Sequence, residues 1–175
     1  MPGTFNPPTF AHFAMAQCAV EHAGIERVDW TVSTVSLGKE TLARPSLEQR
    51  IEVLERVAAA HEWLSIAVTD HQLIVDVARP YDALIVGADK WAQIVDERWY
   101  ASTHARDIAL TELPPVVLIA PRDGADDPID STSGRIQSLD LAVQYQAMSS
   151  TRARTTDPHL MLPEAAASGY WSLAS

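Results

Sequence analysis

The chain has 175 residues, 47% hydrophobic and 21% charged, the composition of one globular domain with enough apolar material to bury a core. A formal net charge of −10 argues against a general nucleic-acid binder and against an anionic-membrane binder. A single cysteine, Cys18, excludes a disulfide framework, and neither a signal-peptide pattern nor an apolar run of membrane length stands in the sequence, so a cytoplasmic protein is expected.

In chain order, residues 11–24 are predicted as a helix, with Phe13, Ala16, Gln17, Val20 and Ala23 at helical spacing and Gly24 as its stop. Cys18 falls inside it as a small buried side chain. Residues 28–35 read as a strand. Ser46 opens S-L-E-Q, a capping box in front of a helix over 47–61. A second strand covers 63–68, and a short helix 72–78. The run Y-D-A-L-I-V (81–86) is nearly all apolar, as in a strand buried on both faces, and a helix follows Asp89. V-V-L-I-A (116–120) repeats that pattern, and 139–143 is a weaker strand. Residues 123–134 form a polar loop rich in Gly, Pro and Asp, and Pro163 starts a last short helix.

Strands alternating with helices predict a single α/β domain over 1–175, a doubly wound parallel sheet with helices on both faces. Ligands of such sheets sit at the carboxyl ends of the strands, where strand order reverses. Residues 36–39, 87–89 and 121–122 then surround one cleft. Only Met1 and Pro2 precede the first motif, which begins at Gly3, so the strand that should feed that loop is expected to be truncated.

The stretch G-T-F-N-P-P-T-F-A-H, Gly3 to His12, is the most informative. Glycine, prolines and Asn make a turn-rich loop, and His12 falls in the first turn of the next helix. Free N–H groups and the positive end of the helix dipole suit that place to phosphate. Thr9 and His12, three apart, can face one anion. Taken alone, T-x-x-H also describes a capping threonine beside a half-buried histidine.

The whole string resembles the nucleotidylyltransferase signature G-[ST]-F-[DN]-P-x-[HT]-x-x-H, with Ala11 where a glycine is often found. Ser149-Ser150-Thr151-Arg152-Ala153-Arg154 is similar to that superfamily's I-S-S-T-x-[IV]-R, with Met148 for Ile and Ala153 for Ile or Val, the second change expected to loosen helix packing. The resemblance implies a Rossmann-like fold. It implies that Thr9 and His12 bind the triphosphate and stabilise charge on the transferring phosphorus, and that Gly3, Thr4 and Phe5 belong to the ATP-binding loop. It also implies that Ser149, Ser150, Thr151 and Arg154 hold the distal phosphates.

Two further stretches bear on the acceptor. Lys39 followed by S-L-E-Q-R resembles a segment of phosphopantetheine and nicotinate-nucleotide adenylyltransferases in which a lysine neutralises phosphate; as a bare residue Lys39 is a solvated loop lysine. Glu48 and Arg50 are expected on the helix surface or in an ion pair. Gly87-Ala88-Asp89, then Trp91 and Trp99, resembles the G-A-D…W segment of pyridine-nucleotide adenylyltransferases, where Gly and Asp meet the nucleoside and an aromatic stacks on the pyridine ring. Trp99 is the expected acceptor residue, and Trp91 the one expected to cover the sheet. The S-Y-T-x-x-T-L segment of many bacterial nicotinate-nucleotide enzymes is absent. In its place H-Q-L-I-V-D-V-A (71–78) looks like the L-[LI]-V-D-x-A of phosphopantetheine adenylyltransferases.

The expected activity is transfer of AMP from ATP to a phosphate-bearing acceptor, nicotinate or nicotinamide mononucleotide before phosphopantetheine, with release of pyrophosphate. A cytidylyltransferase and a non-catalytic nucleotide-binding protein are the other readings. Mg²⁺ is expected to arrive with ATP, no protein-held metal is expected, and the partners are small molecules rather than nucleic acid or membrane. A homo-oligomer is compatible with the sequence.

Overall fold

A computed structural model describes residues 1–35, 45–123 and 134–172. Lys39 and most of the predicted loop over 123–134 lie outside the described residues.

Helix α1 (Phe10–His22) begins after Thr9 and gives way to Gly24, whose φ of +68° suits a residue without Cβ. Its core face differs from the expected one. Ala11, Met15, Ala16, Cys18 and Ala19 are buried, whereas Gln17 is exposed and donates to Glu21 four residues on. A stripe of small residues lets α1 lie close against the sheet. Strand β1 (Val28–Ser33) leads to α2 (Leu47–Ala58), capped by Ser46 as expected: its Oγ accepts from the Gln49 N–H and its N–H donates to Gln49 Oε1. Strand β2 (Leu64–Thr69), α3 (Ile74–Ala78) and β3 (Ala83–Gly87) follow.

The second half runs α4 (Ala88–Val95), a 3₁₀ turn (Glu97–Trp99), α5 (Thr103–Thr111) and β4 (Val116–Ala120), the last with the predicted boundaries. Strand β5 is Ile136–Ser138, not 139–143. The apolar residues misled the expectation: Leu139 and Leu141 are buried as packing side chains, while the hydrogen-bonded edge strand is polar and 143–146 is helical, α6 (Val143–Gln146). Helix α7 (Ser150–Thr155) stops before Asp157-Pro158, and α8 (Pro163–Ser168) closes the described chain.

All strand ladders among the described residues are parallel, the architecture expected from the alternating pattern. They form a pair, β2-β1, and a trio, β3-β4-β5. Met1–Gly3 runs parallel to β1 and pairs with it: Thr31 N–H donates to Met1 O, and Gly3 N–H to Thr31 O, each at 3.0 Å. The Met1 α-amino group donates to Asp29 O, and burial lowers its pKa to about 5. One core cluster spans both parts, with Met1, Phe5 and Trp30 beside Ile85 and Leu118.

Candidate active site

The Gly3–Thr9 loop is shaped by its own core contacts. Phe5, with φ +43°, is fully buried, its ring stacked 4.9 Å from Trp30 and tilted 5.1 Å from His12. A Cβ on Gly3 would stand 2.9 Å from that ring, so a glycine is needed where backbone and aromatic meet. The Asn6–Pro7 peptide is cis. Asn6 is buried, and its Oδ1 accepts from Trp171 Nε1 at 2.5 Å. Arg50, expected on the helix surface or in an ion pair, is instead buried, and its Nη1 donates to the backbone Thr4 O at 2.8 Å. The motif loop is therefore pinned from below by α2 and from the side by the C-terminal segment.

Thr9 is buried and serves His12. Its N–H donates to His12 Nδ1 at 3.0 Å, and its Oγ1 lies 2.8 Å from the same nitrogen. With Nδ1 accepting, the ring proton of the neutral form belongs to Nε2, the remaining donor. Loss of hydration, with the Arg122 cation as a second cause and Asp89 opposing, lowers the His12 pKa to about 4. His12 is thus a neutral hydrogen-bond donor at physiological pH.

One cleft at the carboxyl ends of β3 and β4 is lined by Gly3, Thr4 and His12 from the first motif and by Ser149, Ser150 and Thr151 from the last. Gly87, Asp89, Lys90 and Arg122 complete this wall. Ser149 Oγ caps α7 by accepting from Arg152 N–H, and Ser150 Oγ donates to Pro7 O at 2.8 Å, so the two motifs are hydrogen-bonded to each other. Gly87 is tight against its neighbour: a Cβ there would stand 2.8 Å from Asp89 Oδ1. Asp89 Oδ1 in turn lies 3.6 Å from Arg122 Nε.

Four expected residues stand elsewhere. Thr9, expected to meet the triphosphate with His12, is fully buried behind that ring and does not line the cleft. Phe5 buttresses His12 from the core and does not line the cleft. Arg154 donates to Asn6 O from behind the loop, and is absent from the cleft wall. Trp99 lines a small crevice with Leu73, Ile74, Gln93, Ile94 and Tyr100. Trp91 packs against the second core cluster, as expected. Ala153 is fully buried among Val53, Met161, Ala165 and Trp171, so α7 packs closely despite the small side chain.

A second, more apolar chamber adjoins the cleft and shares Pro2, Gly3, Thr4 and Lys90 with it. Its other walls come from Thr31, Ser33 and Val35, and from His71, Gln72, Ile74, Val77 and Gln93. Ile74 and Gln93 separate this chamber from the Trp99 crevice. Sequence reasoning placed Arg122 only among the post-strand residues of the cleft and passed over Lys90; the signal available for both was a basic residue within three positions of a buried strand's end.

The profile of the cytidylyltransferase-like family matches residues 1–156. The chain belongs to this family, and its class is that of nucleotidyltransferases on a Rossmann-like α/β domain. No curated protein matches the chain.

Proposed function

We propose that the protein is an adenylyltransferase that moves AMP from ATP to a phosphate-bearing acceptor and releases pyrophosphate. The observation that carries this reading is the convergence of Gly3, Thr4 and His12 with Ser149, Ser150 and Thr151, from opposite ends of the chain, on one cleft. In the reaction an acceptor phosphate oxygen attacks the α-phosphorus in line. The new phosphorus–oxygen bond forms as the bond to the β-phosphate breaks, and pyrophosphate carries away the electron pair. No covalent enzyme intermediate is needed, so the protein contributes positioning and stabilisation of charge. His12, neutral with Nε2–H as donor, would hydrogen-bond the transferring phosphoryl group, and Thr9 holds the ring in that tautomer. Mg²⁺ would arrive on the triphosphate to offset its charge; Asp89 is the carboxylate in the cleft wall among the described residues, which suits an ion brought by substrate.

The acceptor chamber is the apolar one beside the cleft. A pyridine mononucleotide, which would make this a step of NAD biosynthesis in the cytoplasm, is supported by the likeness of Gly87-Ala88-Asp89 and Trp99 to the pyridine-nucleotide enzymes. Phosphopantetheine is the second reading, favoured by a specific observation: Ile74 and Val77, from the stretch that resembles its enzymes, line the chamber, whereas Trp99 lies behind Ile74 and Gln93. The test is pyrophosphate release from ATP and from CTP with nicotinate mononucleotide, nicotinamide mononucleotide and phosphopantetheine. Turnover with ATP and a pyridine mononucleotide is expected. Turnover with phosphopantetheine alone would transfer the assignment to the second reading, a preference for CTP would make it a cytidylyltransferase, and nucleotide binding without turnover in any pair would leave a non-catalytic binder.

A further inference from the structure

The cleft and the apolar chamber beside it meet along one short border, where Pro2, Gly3, Thr4 and Lys90 line both spaces. Proline has no N–H to offer a ligand, and the Gly3 N–H is engaged by Thr31 O at 3.0 Å. Lys90 is the charged side chain among these four. Arg122 lines the cleft but not the chamber, and its Nη1 donates to Met148 O on the side of the serine-rich turn. Among the described residues, Lys90 is also the one lysine or arginine that lines the chamber.

Helix α4 sets that position. Lys90 stands in its first turn, just past the carboxyl end of β3, and its ammonium donates to Gln93 Oε1 at 2.8 Å, three residues on along the same helix. A neutral amide oxygen orients an ammonium without cancelling its charge, and the ammonium has three donors to share. The chamber itself is a cavity of about 590 Å³ with Val35, Ile74 and Val77 in its walls, the size of a small-molecule site. An acceptor whose body fills it reaches the cleft across the shared border. In-line transfer then brings an acceptor phosphate oxygen to roughly 3–3.5 Å from the α-phosphorus, so two anionic groups must approach each other. A fixed cation at that border offsets their repulsion.

We propose that Lys90 binds the phosphate of the acceptor at this border, and so separates a phosphorylated acceptor from its dephosphorylated form. The inference rests on the adenylyltransferase reading and deepens it, because it assigns acceptor selection to a residue outside both signature motifs.

The test is equilibrium binding to the full chain of ATP and of two matched pairs, phosphopantetheine with pantetheine and nicotinamide mononucleotide with nicotinamide riboside. In the wild type the phosphorylated member of one pair should bind at least roughly tenfold more tightly than its partner. Loss of one charge-assisted contact predicts that Lys90→Met weakens that member roughly ten- to hundredfold. The dephosphorylated member and ATP should each change by less than about threefold. Lys90→Arg should recover part of the loss by keeping the charge, and Lys90→Gln, which keeps a polar reach toward Gln93, should repeat the result if Lys90→Met folds poorly. Equal weakening of both members of the pair would overturn the proposal and leave Lys90 a brace for α4. A larger loss for ATP than for the acceptor would also overturn it and give Lys90 to the triphosphate. Turnover with a phosphorylated acceptor whose affinity ignores Lys90 would sink the inference alone. Because binding is the readout, a chain that shows the Lys90-dependent preference without turnover upholds the inference while refuting the catalytic reading. A wild type that binds ATP but prefers neither phosphorylated member overturns both.

Discussion

The Arg154 guanidinium donates to the backbone carbonyl of Asn6, 148 positions earlier in the chain, so the last motif holds the first one in shape. Ser150 makes a parallel connection to Pro7 O. The neighbouring arginine faces the other way: Arg152 donates to Ala147 O and lies 3.8 Å from Asp157 on the exposed side of α7.

Arg154→Ala is therefore expected to lower both stability and turnover, while Arg152→Ala stays near wild type. Removing a charged donor from a part-buried carbonyl costs about 1.5–3 kcal/mol. Thermal unfolding and pyrophosphate release measured on the same samples check this. Two variants with equal effects would show that the motif register carries no functional distinction.

His12→Gln should reduce pyrophosphate release by on the order of 10²–10³, the usual effect of losing one preorganised donor to developing charge. The same variant reports on acid stability. The folded-state pKa of about 4 lies below the ordinary 6.5, so the unfolded chain takes up this proton first as pH falls. Stability from His12 is complete above about pH 6.5 and is lost between there and pH 4, by no more than roughly 3.5 kcal/mol at about 1.4 kcal/mol per unit. The Met1 amino group titrates in an overlapping range, so the difference between wild type and His12→Gln in urea unfolding at pH 7, 5.5 and 4.5 isolates the histidine. A difference that does not change with pH would contradict the buried neutral ring.

Gly87→Ala should impair nucleotide binding with little loss of stability. Its Cβ would come within 2.8 Å of Asp89 Oδ1, and the side chain that must move is about two-thirds exposed, so it can yield without disturbing the core. Asp89 would then swing away from Arg122. Unaltered affinity for ATP would mean that the placement of Asp89 is unimportant to the cleft.

Trp171→Phe keeps an aromatic in the third core cluster and deletes the donor to buried Asn6 Oδ1. An unsatisfied buried acceptor costs about 1–3 kcal/mol. Urea unfolding should show that loss, and the Michaelis constant for ATP should rise because Asn6 belongs to the motif loop. Wild-type stability would mean that Asn6 finds another donor.

On the pyridine reading the acceptor ring must pass Ile74 and Gln93 to reach the Trp99 crevice. Trp99→Ala should then raise the acceptor's Michaelis constant more than that of ATP, since stacking on a flat ring is worth about 1–3 kcal/mol; Trp91→Ala should act through stability. Steady-state kinetics with each substrate varied in turn separates the two. An acceptor constant insensitive to Trp99 but raised by Ile74→Ala would identify the apolar chamber as self-sufficient and favour phosphopantetheine.

The sequence by itself determined the alternating parallel architecture, because near-continuous apolar runs such as 81–86 and 116–120 have few other ways to be buried. It also marked the two motif stretches, whose turn residues and hydroxyls are local chemistry. It could not indicate β5, a polar edge strand held by pairing rather than burial, nor that Leu139 and Leu141 serve packing instead. Only the tertiary structure decided which side chains meet. Arg50, on an amphipathic helix, turned inward because the Thr4 carbonyl needed a donor; Arg154 was drawn behind the loop by Asn6; and Arg122 came into the cleft because β4 ends beside β3. Each depends on a partner far away in the chain, and helical or strand periodicity carries no information about distant partners. The neutrality of His12 has the same origin, since burial against Phe5 and the nearness of Arg122 exist only after folding.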